Sequence, residues 1–189
     1  MIPRIIIQRA GKTYEKALVK VQDFEMLNED IIEAKIGELK ELWEKWGNEI
    51  ITELNQVTKL EWMDASIRCY VTHGIPVSFS HPLTLKVNEI DVMFDVLVHE
   101  LIHRLLNNPD HPEKFKQAKH KFIKEYENES RTTKVHILLH TLHSHILMKF
   151  FDQNRLKRAT EFVKNPDYVR SWEIVNNLGY ENIIKQVFR

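Results

Sequence analysis

The segment His99-Glu100-Leu101-Ile102-His103 carries the residue types needed to bind a metal ion and to move a proton. Histidines four residues apart lie on the same side of an α-helix, one turn above each other, so their imidazoles can converge on one ion. The glutamate between them faces the same cleft. Neutral imidazoles are common zinc ligands, and three protein ligands with an open fourth position are typical of a catalytic zinc site. The spacing therefore predicts a zinc site at His99 and His103.

A single buried helix is predicted to hold these residues. Asn88 or Asp91 can cap it, and neither glycine nor proline follows until Pro109, which leaves room for about four to five turns. Apolar residues occupy nearly its whole circumference, so the helix must be buried. Histidines and a glutamate in such a segment are costly unless they are hydrogen-bonded or bind a metal, which favours a metal site over a chance pattern.

A second group of histidines lies on a predicted helix over residues 133–151. His136, His140 and His143 share one face of this helix, and His145 points the other way. We expect His140, the middle of the stripe, to be the third metal ligand. Helical spacing fixes the face on which a residue lies, and not its depth.

Other residues could supply the third ligand instead. His136 is the second choice. A glutamate is the third choice, at Glu125, Glu127 or Glu129, in a polar stretch near a helix end. Stripe histidines that do not bind the metal, His143 included, could orient a ligand or donate a hydrogen bond to a developing oxyanion.

The HExxH segment resembles the active-site helix of the zincin metallopeptidases. This resemblance implies that His99 and His103 bind zinc and that Glu100 is the general base. It also implies a zincin-like α+β fold, in which a small mixed or antiparallel sheet has its edge strand packed on an HExxH active-site helix and further helices follow. In zincins that edge strand pairs with an extended substrate, and residues 77–87 are the expected segment here.

Among the zincins, the closest resemblance is to small gluzincin-like proteins. The glycine and the third histidine of metzincins would fall at Leu106 and Pro109, so that subclass is excluded. In small relatives among the gluzincins a terminal segment can occupy the cleft and keep the enzyme latent. Residues 160–189 are expected to complete the core or to cover the cleft, with a helix starting at Ser171.

These features predict a zinc-dependent metallopeptidase that hydrolyses peptide bonds in a peptide or protein substrate. Zinc would activate a water molecule, and Glu100 would take its proton and pass it to the leaving amine. Two alternatives remain open. One is a non-enzymatic zinc-binding module, closed by further histidines, and the other is a zinc hydrolase that acts on a non-peptide amide or ester.

The composition predicts one domain over residues 1–189, because 43% of the residues are hydrophobic and no low-complexity linker divides the chain. Lys and Arg balance Asp and Glu at 27 each, so no global field favours nucleic acid or an anionic membrane as a partner. No apolar run is long enough for a signal peptide or a membrane span. A single cysteine, Cys69, excludes an internal disulfide and fits the expected cytoplasmic location.

Hydrophobic periodicity predicts the remaining elements. Two β-like segments separated by Ala10-Gly11-Lys12 could form a hairpin. One predicted helix carries a stripe of lysines, which is most simply a solvated face. The predicted strands lie at residues 2–8, 14–22, 67–71, 77–79 and 83–87, and the further helices at residues 29–56 and 113–128.

Overall fold

The computed structural model describes residues 2–18 and 28–189, and within them eight helices accompany a four-stranded mixed sheet. The α+β class predicted from the sequence is therefore confirmed. The strands are β1 (Arg4–Arg9), β2 (Ser66–Thr72), β3 (Phe79–Ser80) and β4 (Leu83–Lys86). The helices are α1 (Lys12–Leu18), α2 (Glu29–Thr58), α3 (Ile90–Leu106), α4 (Glu113–Lys124), α5 (Arg131–Phe150), α6 (Gln153–Glu161), α7 (Pro166–Leu178) and α8 (Tyr180–Val187).

The chain divides into two compact units. The first consists of Met1–Glu49 and Trp62–Arg104, and the second of Ile50–Glu61 and Leu105–Arg189. The sheet and α1 belong to the first unit, and α4 to α8 belong to the second. Helices α2 and α3 each contribute residues to both units. The single domain expected over residues 1–189 stays a prediction.

Strand β1 pairs with β2 in parallel, with Ile7 opposite Cys69. Strand β2 is also parallel to β4, and β3 is antiparallel to β4, which gives the order β1-β2-β4-β3. The predicted hairpin at Ala10-Gly11-Lys12 is therefore wrong. Parallel neighbours require a long crossover, and the chain passes through α1 and α2 before it returns as β2.

The strand predicted over residues 14–22 is also wrong as far as it is described. Residues 14–18 belong to α1, and residues 19–22 lie outside the described residues. Contacts with the sheet explain why residues 14–18 are helical and not extended. The Tyr14 hydroxyl is 2.7 Å from Thr84 Oγ1, and the Thr72 hydroxyl donates to Glu15 Oε1 at 3.0 Å. Helical spacing lets neighbouring residues 14 and 15 reach two adjacent strands of the sheet.

The edge segment expected at residues 77–87 is divided between two strands. Strand β3 is at the edge of the sheet, whereas β4 lies between β2 and β3. The side chain of Arg104 in α3 donates to the Ser80 carbonyl of β3 at 2.8 Å and also hydrogen-bonds Asp64. Within the first unit, this arginine fixes the edge strand to the HExxH helix.

The two long helices predicted at the centre of the chain are confirmed. Helix α2 extends two residues beyond the predicted end, and helix α3 ends at Leu106, before the expected break at Pro109. Gly47 in α2 is required by close packing, because a Cβ atom there would lie 2.3 Å from the Trp43 indole. Within the described residues, no helix combines the length and the apolar character needed to cross a membrane.

The second unit is helical, and α5 contacts α6, α7 and α8. Helix α5 begins after Ser130, whose hydroxyl oxygen accepts from the Thr133 amide at 2.9 Å. Helix α4 ends at Lys124, four residues before the predicted end. The expected helix start at Ser171 is wrong, because α7 starts at Pro166, where proline's missing N–H carries no penalty.

Cys69 lies in β2 and is fully buried as a free thiol. Burial raises the pKa of this thiol well above its ordinary value, because a thiolate would be poorly solvated there. A packing role is therefore assigned to Cys69, and nucleophilic chemistry at neutral pH is disfavoured.

Candidate metal centre

His99 and His103 lie one turn apart on the least buried stripe of α3. Both side chains are half-buried, and their ring centroids are 5.0 Å apart with planes at 74°. The other sides of the helix are buried, as the sequence predicted. The buried apolar residues of this helix are Met93, Phe94, Leu97, Val98, Leu101, Ile102, Leu105 and Leu106.

Glu100 is the buried acid of the HExxH segment, with 7% of its surface exposed. Burial raises the pKa of Glu100 to about 7, because the charged form loses solvation. A carboxylate with a pKa near neutrality can both accept and return a proton, which is what general-base catalysis requires.

His99 and His103 offer two imidazoles of the first unit, with ring centroids 5.0 Å apart. Zn²⁺ takes neutral imidazole nitrogens readily, so this pair fits the ion, and a third donor would complete a catalytic site with one open position.

His136 is held in the tautomer that a metal ligand needs. Its Nδ1–H donates to the Thr132 carbonyl at 2.8 Å, which leaves the lone pair on Nε2. The ring of Tyr168 covers the imidazole, with centroids 4.0 Å apart. Burial is the main cause that lowers the pKa of His136, and this favours the neutral form that coordinates metal.

His140, the expected third ligand, contacts other residues of the second unit. Its Nδ1–H donates to Ser171 Oγ at 2.8 Å, and the Ser171 hydroxyl donates to the Tyr168 carbonyl at 2.8 Å. The imidazole stacks on Trp172, with centroids 4.0 Å apart and planes at 8°. His140 therefore packs against α7, and the choice between His140 and His136 as the third metal ligand stays a prediction.

The remaining histidines of α5 have separate surroundings. His143 is buried, and burial together with the charge of Arg155 lowers its pKa to about 3, so its ring is neutral. His145 points away from the stripe, as predicted, and its Nε2 is 2.6 Å from Glu53 Oε1.

The glutamates considered as alternative ligands lie in the segment that joins α4 and α5. Glu125 and Glu127 are exposed. Glu129 accepts a hydrogen bond from Arg170 at 2.8 Å. The polar surroundings expected from the sequence agree with these positions.

Sequence reasoning missed the residues of α7 that support the histidine stripe. Tyr168, Ser171 and Trp172 contact His136 or His140. Their spacing at three and four residues is a helical signal that could have placed them on one face. That signal was hidden because the helix was expected to begin only at Ser171.

Comparisons with protein families, curated proteins and solved structures give no match to this chain. The resemblance to zincins therefore depends on the HExxH segment and its surroundings alone.

Proposed function

We propose that this chain is a zinc-dependent metallopeptidase, in which His99, His103 and His136 bind Zn²⁺ and Glu100 is the general base. The observation that carries the proposal is the pair of half-buried imidazoles on α3 that flank the buried Glu100. His136 is proposed as the third ligand because the Thr132 carbonyl holds it in the tautomer that a metal ligand needs. Three imidazoles leave one position of a tetrahedral ion open, as a hydrolytic site needs.

Bound Zn²⁺ would supply Lewis acidity, which activates water and polarises the carbonyl group of the substrate. The residues of the chain supply proton transfer and orientation. Glu100 accepts the proton of the attacking water and returns it to the leaving amine. The Thr132 carbonyl fixes the tautomer of His136, and the Tyr168 ring limits its rotation.

The edge strand of the sheet favours a peptide over a smaller amide or ester as the substrate. Strand β3 is an edge strand of the same unit as His99 and His103, and Arg104 connects it to their helix. An extended peptide can add to such an edge through main-chain hydrogen bonds. Small amides or esters cannot use this mode of binding.

The test compares zinc content and peptide cleavage in the wild type, Glu100→Gln and Glu89→Gln. Glu89 is an exposed carboxylate beside the start of α3, so its variant is a matched control. We expect Glu100→Gln to retain one zinc per chain and to lose about 10²- to 10⁴-fold in kcat, whereas Glu89→Gln retains activity. Chelation should abolish cleavage by the wild type, and added zinc should restore it.

Each competing result has a distinct meaning. Wild-type cleavage by Glu100→Gln would refute the assignment of the general base. Stoichiometric zinc in a wild-type protein that cleaves no member of a diverse peptide library would favour a non-enzymatic zinc-binding module. Hydrolysis confined to esters or non-peptide amides would favour the other alternative.

A further inference from the structure

A cationic cleft lies within the second unit, between α4 and the first turns of α5. Its volume is about 330 Å³, near the lower end of the range for ligand pockets. Four basic side chains line it, two from each helix. These residues are Lys119, Lys124, Arg131 and Lys134.

The positive charge of the cleft is not balanced locally. Glu127 is the single acidic residue among the lining residues, and its backbone carbonyl, not its carboxylate, accepts from Lys134 Nζ at 3.4 Å. Across residues 2–18 and 28–189, no carboxylate forms an ion pair with any of the four basic side chains. Because the whole chain has a net charge of +0, the excess is a local feature that attracts an anionic ligand.

Lys119 shows that the cleft is more than a solvated lysine face. Its side chain is half-buried, and its Nζ lies over the Phe115 ring, 5.9 Å from the centroid. Burial lowers the pKa of this ammonium group, so keeping it charged costs solvation. A carboxylate bound beside the ammonium group would compensate for this lost solvation.

The uncharged part of the lining indicates the class of ligand. Ile123 and Val135 add apolar surface, and Val135 is 41% exposed. The described lining contains no phenylalanine, tyrosine or tryptophan on which nucleic-acid bases could stack. Inorganic phosphate would leave the apolar surface uncovered. An occupant with both carboxylates and apolar side chains complements both kinds of surface.

We propose that this cleft binds an acidic, partly apolar segment of a peptide or protein substrate. The identification of the segment as substrate rests on the proposed peptidase function. Arg131, Lys134 and Val135 belong to the first turns of α5, the helix that carries His136. Binding at the cleft would therefore give the peptidase a preference for acidic substrates.

The test measures binding without turnover, using full-length, zinc-loaded Glu100→Gln protein and a fluorescein-labelled peptide of alternating glutamate and leucine. Arg131→Glu with Lys134→Glu is the test variant. Acidic residues are favourable in the first turn of a helix, so α5 should be retained. Lys116→Glu with Lys121→Glu is the control, since both lysines are exposed, lie outside the cleft and give the same change in net charge.

We expect the parent and the control to bind the peptide with similar affinity, and the test variant to bind about tenfold more weakly. Added salt should weaken binding by the parent. Equal affinity in the test variant and the control would overturn the proposal. So would displacement of the peptide by inorganic phosphate, or tighter binding of a single-stranded oligonucleotide than of the peptide.

The two proposals fail in different ways. Peptide cleavage by the wild type without binding at the cleft overturns the cleft proposal alone. Salt-sensitive binding at the cleft in a protein whose wild type cleaves no peptide supports the anionic-peptide site and overturns the peptidase proposal.

Discussion

His136 and His140 occupy the same face of α5, yet their ring nitrogens face different partners. His136 donates to the Thr132 carbonyl, whereas His140 hydrogen-bonds Ser171. His140 also stacks on Trp172. We therefore propose His136 as the metal ligand and His140 as a supporting residue.

Asparagine substitutions of His136 and His140 should show which of the two histidines binds the metal and which supports the site. We expect His136→Asn to weaken zinc binding by more than about 100-fold because it removes a ligand. We expect His140→Asn to weaken it by about tenfold or less, since His140 contacts supporting residues. Competition with a calibrated zinc chelator measures both affinities. Stronger zinc loss in His140→Asn than in His136→Asn would return the third-ligand assignment to His140.

The largely buried carboxylate of Glu53 contacts two basic side chains, His145 and Lys149. Burial by itself raises the pKa of Glu53, but the hydrogen bonds and charges of Lys149 and His145 outweigh it, and the net pKa is lowered from 4.5. The unfolded chain then binds the proton more tightly than the folded chain does. The stabilisation is fully present above about pH 4.5 and is lost as the pH falls through the lower, folded pKa.

We expect Glu53→Gln to lower the free energy of unfolding at pH 7 by roughly 1–2 kcal/mol, because two hydrogen bonds to a charged group are weakened. The difference in unfolding free energy between the wild type and this variant should shrink as the pH falls below about 4.5. Urea unfolding of both proteins at pH values above and below about 4.5 measures this difference. Glu49→Gln, at an exposed position one turn earlier in α2, is the control, and an equal deficit at low and neutral pH would contradict the argument.

Among the elements, α3 depends on Arg104 for its connection to the edge strand. The guanidinium group donates to the Ser80 carbonyl and to Asp64, and only 14% of the side chain is exposed. A partly buried carbonyl such as that of Ser80 is left without this hydrogen bond when the donor is removed, which costs part of its desolvation energy. Arg104 thus contributes to stability and to the placement of β3.

Replacing Arg104 with methionine should lower the free energy of unfolding by roughly 1–3 kcal/mol, because Ser80 and Asp64 both lose a donor. Asp64→Asn should cost less, since Asp64 is 43% exposed and its ion pair is partly screened. Denaturant unfolding of both single variants and the double variant gives the coupling energy. Additive effects would show that the arginine acts independently of Asp64.

Elements with a strong helical period were predictable from the sequence, and those set by long-range pairing were not. Continuous apolar spacing defined α2 and α3 to within a few residues. The segment Arg4–Arg9 was recognisable as a strand, but its alternation carries no information about a parallel partner sixty residues later. Residues 14–18 became a helix because Tyr14 and Glu15 reach Thr84 and Thr72, contacts that local propensity cannot anticipate.

Only part of the candidate site was predictable from the sequence. His99, Glu100 and His103 share one helix, so their spacing alone brings them together. The histidine stripe lies on a separate helix, where contacts with α7 give His136 and His140 different surroundings. The sequence predicts this stripe, but its helical spacing does not distinguish between the two histidines.

At the scale of the whole molecule, residues after 160 complete the core of the second unit. Helices α7 and α8 of this segment both pack on α5. Phe188 stacks on Phe115 of α4, with centroids 5.4 Å apart. The buried apolar residues of the segment are Trp172, Ile174, Val175, Ile183, Ile184, Val187 and Phe188. A cleft-covering role stays a prediction.

Truncation after Thr160 should therefore abolish cooperative unfolding of the second unit and reduce zinc binding. Removing α7 exposes the apolar face of α5 and deprives His136 and His140 of their aromatic neighbours. Thermal melts followed by circular dichroism, together with zinc content, measure the outcome. A truncated chain that stays folded and cleaves peptides faster than the full chain would instead support latency.

The hydrogen bonds at the start of α5 have a consequence for the order of events during synthesis. Ser130 and Thr133 both contact Asp167, and His136 lies under Tyr168, so the turn that orients the third imidazole is secured by residues made later. A chain still on the ribosome can present the HExxH pair before α7 has emerged from the exit tunnel. Under the proposed function, we expect zinc to be captured loosely at first and to be retained only after α7 has folded onto α5.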